Sequence, residues 1–103
     1  MSAFEALADP TRRRIVELLA EGERSAGEIA SHFEASRPGV SRHLRVLRDH
    51  GLIQAREEGR RRLYSLEPAP LAELDEWLHR YRRFWTNRLD ALETEITRRR
   101  RIQ

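Results

Sequence analysis

The stretch Ser25–Gly51, SAGEIASHFEASRPGVSRHLRVLRDHG, decides the fold. Ser25 at a cap with Glu28 three residues on is a capping box, in which each satisfies a free N–H of the other's end. The helix it opens carries Ile29, Ala30 and Phe33 on one face and is expected to end near Glu34–Ala35. Ser36-Arg37-Pro38 starts the next helix. There Val40, Leu44 and Leu47 recur at helical spacing and face a core. Arg42, Arg45 and Asp49 lie roughly opposite them, with Ser41 and Arg48 nearer the flanks. Gly51 stops the helix. Two apolar-striped helices joined by about three residues predict a helix-turn-helix.

Outward from this centre, the pattern completes a small domain. On the N-terminal side Asp9 caps and Pro10 opens a helix, because the first helical position needs no N–H. Ile15, Leu18 and Leu19 form its stripe and Gly22 ends it, while Phe4 and Leu7 sit on a short helix before it. On the C-terminal side the helical period is lost. Leu52–Arg56 and Arg62–Leu66 read as two strands, with Glu57-Glu58-Gly59-Arg60-Arg61 as the hairpin tip. A hairpin directly after a helix-turn-helix is a wing. Pro68-Ala69-Pro70 is expected to break the chain.

A long helix then follows. Leu71, Leu74, Leu78, Tyr81, Trp85, Leu89, Leu92 and Ile96 are spaced 3, 4, 3, 4, 4, 3 and 4 residues apart. This is close to a heptad seam over about 40 Å of helix. A small domain cannot cover that seam alone, so it is expected to pack against a second copy. The predicted fold is mainly α with a small β-hairpin. Five helices carry a two-stranded wing between the fourth and the fifth, in a homodimer. Residues 1–68 form the winged helix-turn-helix part and 69–103 the dimerisation helix with its arginine-rich end, in one compact domain.

Composition narrows the function. The 103 residues bound one domain, no apolar run reaches the ~20 residues of a membrane span, and the N-terminus lacks a secretory pattern. A cytoplasmic protein without a membrane partner is expected. There is no cysteine, which excludes disulfides, thiolate metal sites and a cysteine nucleophile. All 20 basic residues are arginine, against 17 acids. From Arg37 to Arg62 eight arginines face three acids, a balance of +5, whereas the remainder is at −2. A basic middle on a near-neutral body marks a nucleic-acid surface.

These residues together resemble a known family. Ala6-Leu7-Ala8-Asp9-Pro10-Thr11-Arg12, then Ser36-Arg37-Pro38-Gly39-Val40-Ser41-Arg42-His43-Leu44-Arg45-Val46-Leu47, then Gly51-Leu52-Ile53 and Gly59-Arg60-Arg61 look like the ArsR family of bacterial winged-helix repressors. The similarity runs from about Phe4 to Leu66 and the terminal helix fits in position. It implies a homodimer that binds DNA and represses, released by a metal or another signal.

The DNA-facing set follows from chemistry and position. Arg37, Ser41, Arg42 and Arg45 present donors on the second helix of the motif, where bidentate arginine-to-guanine contacts are the commonest specific ones. The plainer alternative is a solvated arginine face. His43 flanks the apolar side and has two readings, a hydrogen-bonded structural histidine or a phosphate contact. Arg60 and Arg61, with Arg62 beside them, fit a wing on the minor groove or backbone. Glu57 and Glu58 favour the alternative of a locally paired, solubilising tip. Leu74, Leu78, Tyr81, Trp85, Leu89 and Leu92 are the expected dimer contacts. Arg98–Arg101 reads as a solvated helix end, which suits the helix dipole.

Soft-metal sensors of the family use cysteines, and none is present here. Other members bind metal through terminal-helix carboxylates and histidines. His79, Asp90 and Glu93 have spacings of 11 and 3 much like that site, but Trp77 stands at the preceding ligand position. Zinc needs four well-placed ligands, so these residues are read as helix surface and no metal or cofactor is assigned. An enzyme is not expected, since neither a Gly-x-Ser-x-Gly elbow nor a phosphate-cradling loop occurs. The expected function is sequence-specific regulation by a homodimer on a near-palindromic double-stranded operator. The alternatives are a winged-helix protein-interaction module and a nonspecific DNA-binding protein. Release is open to a small-molecule inducer, a partner protein, or control by abundance alone.

Overall fold

Asp9 sets the first long helix. In the computed structural model, which describes residues 3–34 and 37–102, its backbone is extended and its carboxylate accepts the Arg12 N–H at 3.0 Å. Pro10 follows at the first helical position. The elements in chain order are α1 (Ala3–Ala6), α2 (Pro10–Ala20), β1 (Arg24–Ser25), α3 (Ala26–Ala30), α4 (Arg37–Asp49), β2 (Ile53–Glu58), β3 (Arg61–Leu66) and α5 (Pro68–Ile102). The chain divides into two compact units, Met1–Ala72 and Glu73–Gln103.

In the first unit the predicted stripes converge. Ile15 and Leu19 of α2, Ile29 of α3, and Val40, Leu44 and Leu47 of α4 are buried in one cluster with Ala6, Leu52, Ile53 and Tyr64. Phe33 and Ala30 pack against it, partly buried. A core of this size places α4 by its apolar face and leaves the opposite face to solvent.

The end of α4 is a Schellman motif. Leu52 N–H reaches the Leu47 carbonyl at 3.0 Å and Gly51 N–H the Arg48 carbonyl at 2.9 Å. Gly51 has φ +75°, which only glycine adopts without strain, and the flanking Leu47 and Leu52 are both fully buried. The chain therefore leaves the helix in a fixed direction, straight into β2.

The sheet has three strands in the order β1-β3-β2, all antiparallel, where the sequence indicates only the wing pair. β1 adds Arg24 opposite Tyr64 and Ser25 opposite Leu63. Two residues are too few to show an alternating pattern, and Ser25 also serves as the α3 cap. In the wing Ile53 pairs with Leu66, Ala55 with Tyr64 and Glu58 with Arg61. The tip is therefore a two-residue loop, Gly59-Arg60, rather than the expected five residues. Gly59 at φ +61° occupies the first loop position, the arrangement of a type II′ turn.

Two helix boundaries also differ from expectation. α3 ends at Ala30 rather than near Glu34, because its last turn tightens. The His32 and Phe33 N–H groups bond three residues back, and the Ser31 hydroxyl donates to the Glu28 carbonyl at 2.7 Å. The expected α3 end at Ala35 and the Ser36 cap of α4 lie outside the described residues. α5 starts at Pro68, so the prolines open the helix rather than break the chain. Neither needs a helical N–H partner in the first turn.

The second unit is the body of α5. Trp77, Leu78, Tyr81, Phe84, Leu89, Leu92 and Ile96 are all exposed, while Leu74 and Trp85 are half-buried. The Trp77 and Tyr81 rings lie 4.8 Å apart, and the Arg88 guanidinium sits 4.2 Å from the Phe84 ring centre. Near its end Glu95 pairs with Arg98 at 2.7 Å and Arg99 at 3.3 Å. No described helix is long and apolar enough to cross a membrane.

Candidate nucleic-acid interface

The exposed face of α4 is the first part of the site. Val40, Leu44 and Leu47 hold the helix down, so Ser41, Arg42, Arg45 and Arg48 stand in solvent. Arg42, Arg45 and Arg48 make no ion pair with any described residue. Unpaired guanidiniums in a row offer planar donors that need an acceptor from outside the chain.

The wing and the start of α4 supply the second part. Arg37 of α4 and Arg60, Arg61 and Arg62 of the hairpin line one cleft of about 300 Å³, with Ser25, Ala26 and Gly27 forming its wall. The fold thus brings together two arginine groups that are over twenty positions apart in sequence. Arg62 leans on the Tyr64 ring at 5.8 Å. Arg60, at the tip, has no ion-pair partner among the described residues.

Two ion pairs fix the wing against the body. Arg56 of β2 grips Glu23 with two bonds, at 2.6 and 2.9 Å, and also meets Glu58 at 3.3 Å. Arg61 pairs with Glu28 of α3. The tip is therefore held through Glu23 and Glu28 more than by the local pairing expected of Glu57 and Glu58. The carboxyls register these contacts. Hydrogen bonds from Arg56 hold Glu23 below its ordinary value, and hydrogen bonds from the Ser25 side chain and backbone do the same for Glu28, with Arg61 adding to them.

His43 sits half-buried between the two candidate roles. Arg12 Nη1 donates to its Nδ1 at 3.4 Å, and Asp9 lies 3.9 Å from the same atom. A guanidinium only donates, so Nδ1 takes the acceptor role in this contact. Arg12 also clamps α1, donating to the carbonyls of Ala6 at 2.6 Å and Glu5 at 3.3 Å. The Asp-Pro-Thr-Arg segment and His43 therefore form one structural joint between α1, α2 and α4. A second α4 histidine, His50, donates through Nδ1 to the Val46 carbonyl at 2.8 Å. Its buried Nε2 has no hydrogen-bond partner and lies 3.7 Å from Glu5.

Among the described residues no group of three or more His, Cys, Asp or Glu side chains is placed to hold a metal. His79 and Asp90 are eleven residues apart on one helix, about 16 Å at 1.5 Å per residue, which is beyond shared ligation within one chain. Glu28, Glu23 and Arg12 are the positioning residues that sequence reading leaves out of the site. Only the capping box pointed to Glu28, and it did so for a different reason.

A core-anchored helix with free arginines, followed by an arginine-tipped hairpin, defines a winged helix-turn-helix DNA-binding regulator. Comparison with known proteins agrees. The family described as bacterial regulatory protein, arsR family, matches residues 9–55. The HTH-type transcriptional regulator Rv2034 of Mycobacterium tuberculosis is 49% identical over 87 residues, 84% of this chain and 78% of that protein. The transcriptional repressor SdpR of Bacillus subtilis is 39% identical over 77 residues, 75% of this chain and 86% of its own. The crystal structure of a "Possible transcriptional regulator for arsenical resistance" superposes with a TM-score of 0.73 at 43% identity, covering 92% of this chain and 96% of the other. The NMR structure of the homodimeric winged helix-turn-helix DNA-binding domain Mb0332 from Mycobacterium bovis gives 0.63 at 34%, covering 74% and 70%. The chain belongs to the ArsR family and is a DNA-binding transcriptional regulator.

Proposed function

We propose that this regulator is a homodimeric repressor that occludes a promoter by binding a near-palindromic operator in the cytoplasm. Each α4 enters a major groove, with Arg37, Ser41, Arg42 and Arg45 facing base edges and phosphates. The two copies lie about one helical turn apart. Arg60 and Arg61 of the wing follow the adjacent backbone or minor groove. His43 offers its Nε2–H to a phosphate while Arg12 holds the ring. Residues 1–68 form the DNA-binding part and 69–103 the dimerisation part, joined through Leu74, Leu78, Tyr81, Trp85, Leu89 and Leu92. The relative named a repressor and the neighbour solved as a homodimer support repression and pairing. Release follows from a small molecule, a partner protein or falling abundance, since the chain has no cysteine to sense soft metals.

One observation carries the reading: Arg42 and Arg45 stand exposed on the face of α4 opposite its buried stripe and make no ion pair among the described residues. Selection of bound duplexes from a randomised pool at near-physiological salt tests it. An enriched inverted repeat is expected and supplies the operator. Bound DNA without an enriched motif points instead to nonspecific architectural binding, and recovery of no DNA points to a docking module.

A further inference from the structure

We infer that Glu28 is an intramolecular stand-in for a nucleic-acid phosphate. It holds the Arg61 guanidinium in the free protein, and duplex binding hands that guanidinium to the DNA backbone. The inference rests on the DNA-binding reading of the wing.

Arg61 begins β3, directly after the Gly59-Arg60 loop. Its guanidinium does not project with the tip but crosses to Glu28 Oε1 on α3. Within the cleft it shares with Arg37, Arg60 and Arg62, this is the one arginine that meets a carboxylate among the described residues. The cleft is thus a basic surface with a single internal anion at its edge. Four guanidiniums cannot be satisfied by one carboxylate, so the site favours a polyanion whose charges repeat along a line.

The pair is built to open. Both partners are substantially exposed, with side chains at 60% for Arg61 and 45% for Glu28, and exposed ion pairs contribute little to stability. Opening strands no polar group. The Ser25 hydroxyl donates to Glu28 Oε1 at 3.0 Å and the Ser25 N–H at 3.4 Å, and both bonds survive when Arg61 leaves. Those same bonds are the larger cause of the lowered Glu28 pKa, so the carboxylate stays ionised without its arginine. A DNA phosphate offers Arg61 a bidentate anion beside three further guanidiniums. Arg56, gripped twice by Glu23, stays behind as the fixed anchor of the hairpin. Glu28 therefore lowers the affinity for DNA by competing for Arg61, and it keeps that guanidinium on the body until DNA arrives.

The test is anisotropy titration of a fluorescein-labelled duplex of about 30 base pairs and mixed sequence, across a series of salt concentrations. The proteins are wild type, E28Q, R61Q and the double variant. Glutamine keeps the capping box, so E28Q removes the charge and leaves α3 capped. E28Q is expected to bind about two- to five-fold tighter, the range of an exposed ion pair. R61Q is expected to bind more weakly, with a salt slope shallower by roughly one. The double variant should match R61Q, because Glu28 acts through Arg61. An E28Q gain that persists in the R61Q background reflects general charge and overturns the inference. So does an E28Q protein that binds no tighter, or an R61Q protein with an unchanged salt slope. R61Q leaves α3 and its cap untouched and keeps the test open if E28Q melts early. The wild-type titration separates the two levels: failure to bind any duplex overturns the DNA-binding reading and the inference together, whereas binding with an unchanged E28Q overturns the inference alone.

Discussion

Arg42 and Arg12 have the same side chain and opposite fates. Arg12 is spent internally, on two α1 carbonyls and on His43. Arg42 lies about one and a half turns from the α4 N-terminus with no acceptor among the described residues, so its fork is left for a base edge. Arg42→Ala is expected to weaken operator binding by about 1–3 kcal/mol and to relax base preference at one position per half-site. A selection on the variant, compared base by base with wild type, measures both effects. A second expectation concerns acid. Asp9, Glu23 and Glu28 all have pKa values lowered from ordinary ones of 3.8, 4.5 and 4.5. For Asp9 the backbone N–H of Arg12 is the largest cause, for Glu23 the Arg56 side chain, and for Glu28 the Ser25 hydroxyl. A carboxyl with a depressed folded-state pKa adds stability above its unfolded value, and that stability is lost as pH falls through the folded one. Thermal melts should therefore fall off below about pH 4.5. Glu23→Gln should flatten that acid limb while changing the neutral melting temperature little, because the pair is exposed.

The wing behaves as a lever with a fixed base and a free tip. Three strands, the Arg56–Glu23 grip and the buried Leu63 and Tyr64 hold the base. Arg60 in the loop is solvated and makes no ion pair among the described residues. Arg60→Gln is expected to weaken specific and random duplexes alike and to take roughly one unit off the salt slope, as read from titrations at several salt concentrations. At the other end of the motif, Gly51→Ala should cost about 1 kcal/mol in urea unfolding, because φ +75° strains any residue with a Cβ. It should leave DNA contacts intact in the folded fraction. The helices and the hairpin were legible in the sequence because each is written locally, as a cap, a stripe or a glycine. The third strand, the short α3 and the two-residue tip were not. β1 is two residues long and its partner lies in the wing. The last turn of α3 is set by the Ser31 hydroxyl and tightened backbone bonds, which compete with a continuing apolar stripe. The same holds for the site. Arg37, Ser41, Arg42 and Arg45 follow from their position on one helix. The Glu28–Arg61 and Glu23–Arg56 pairs each join residues 33 positions apart, and no periodicity records such a contact.

At the scale of the whole chain, the two units treat their apolar stripes differently. The first unit buries its stripes and exposes arginine. The second exposes its stripe, with Phe84, Leu89 and Leu92 each more than half accessible. Large exposed apolar side chains of this kind mark interaction surfaces, and the dimer proposed above would cover them. If the proposed dimer forms through α5, Leu89→Glu is expected to convert it to monomer in sedimentation equilibrium while circular dichroism retains the folded first unit. Operator affinity should then drop steeply, since two linked half-site contacts become two separate ones.

Both tryptophans of the chain, Trp77 and Trp85, belong to α5, and the first unit holds none. Indole emission therefore comes entirely from α5, the helix proposed to pair the subunits. The DNA-binding unit is silent at excitation wavelengths that spare tyrosine. On dilution, a red shift would report separation of the two copies without interference from the winged unit. Added duplex would alter that emission only by acting on α5. A single unlabelled sample could thus show whether an operator or an inducing compound changes the pairing of subunits, before anything is known of which compound that is.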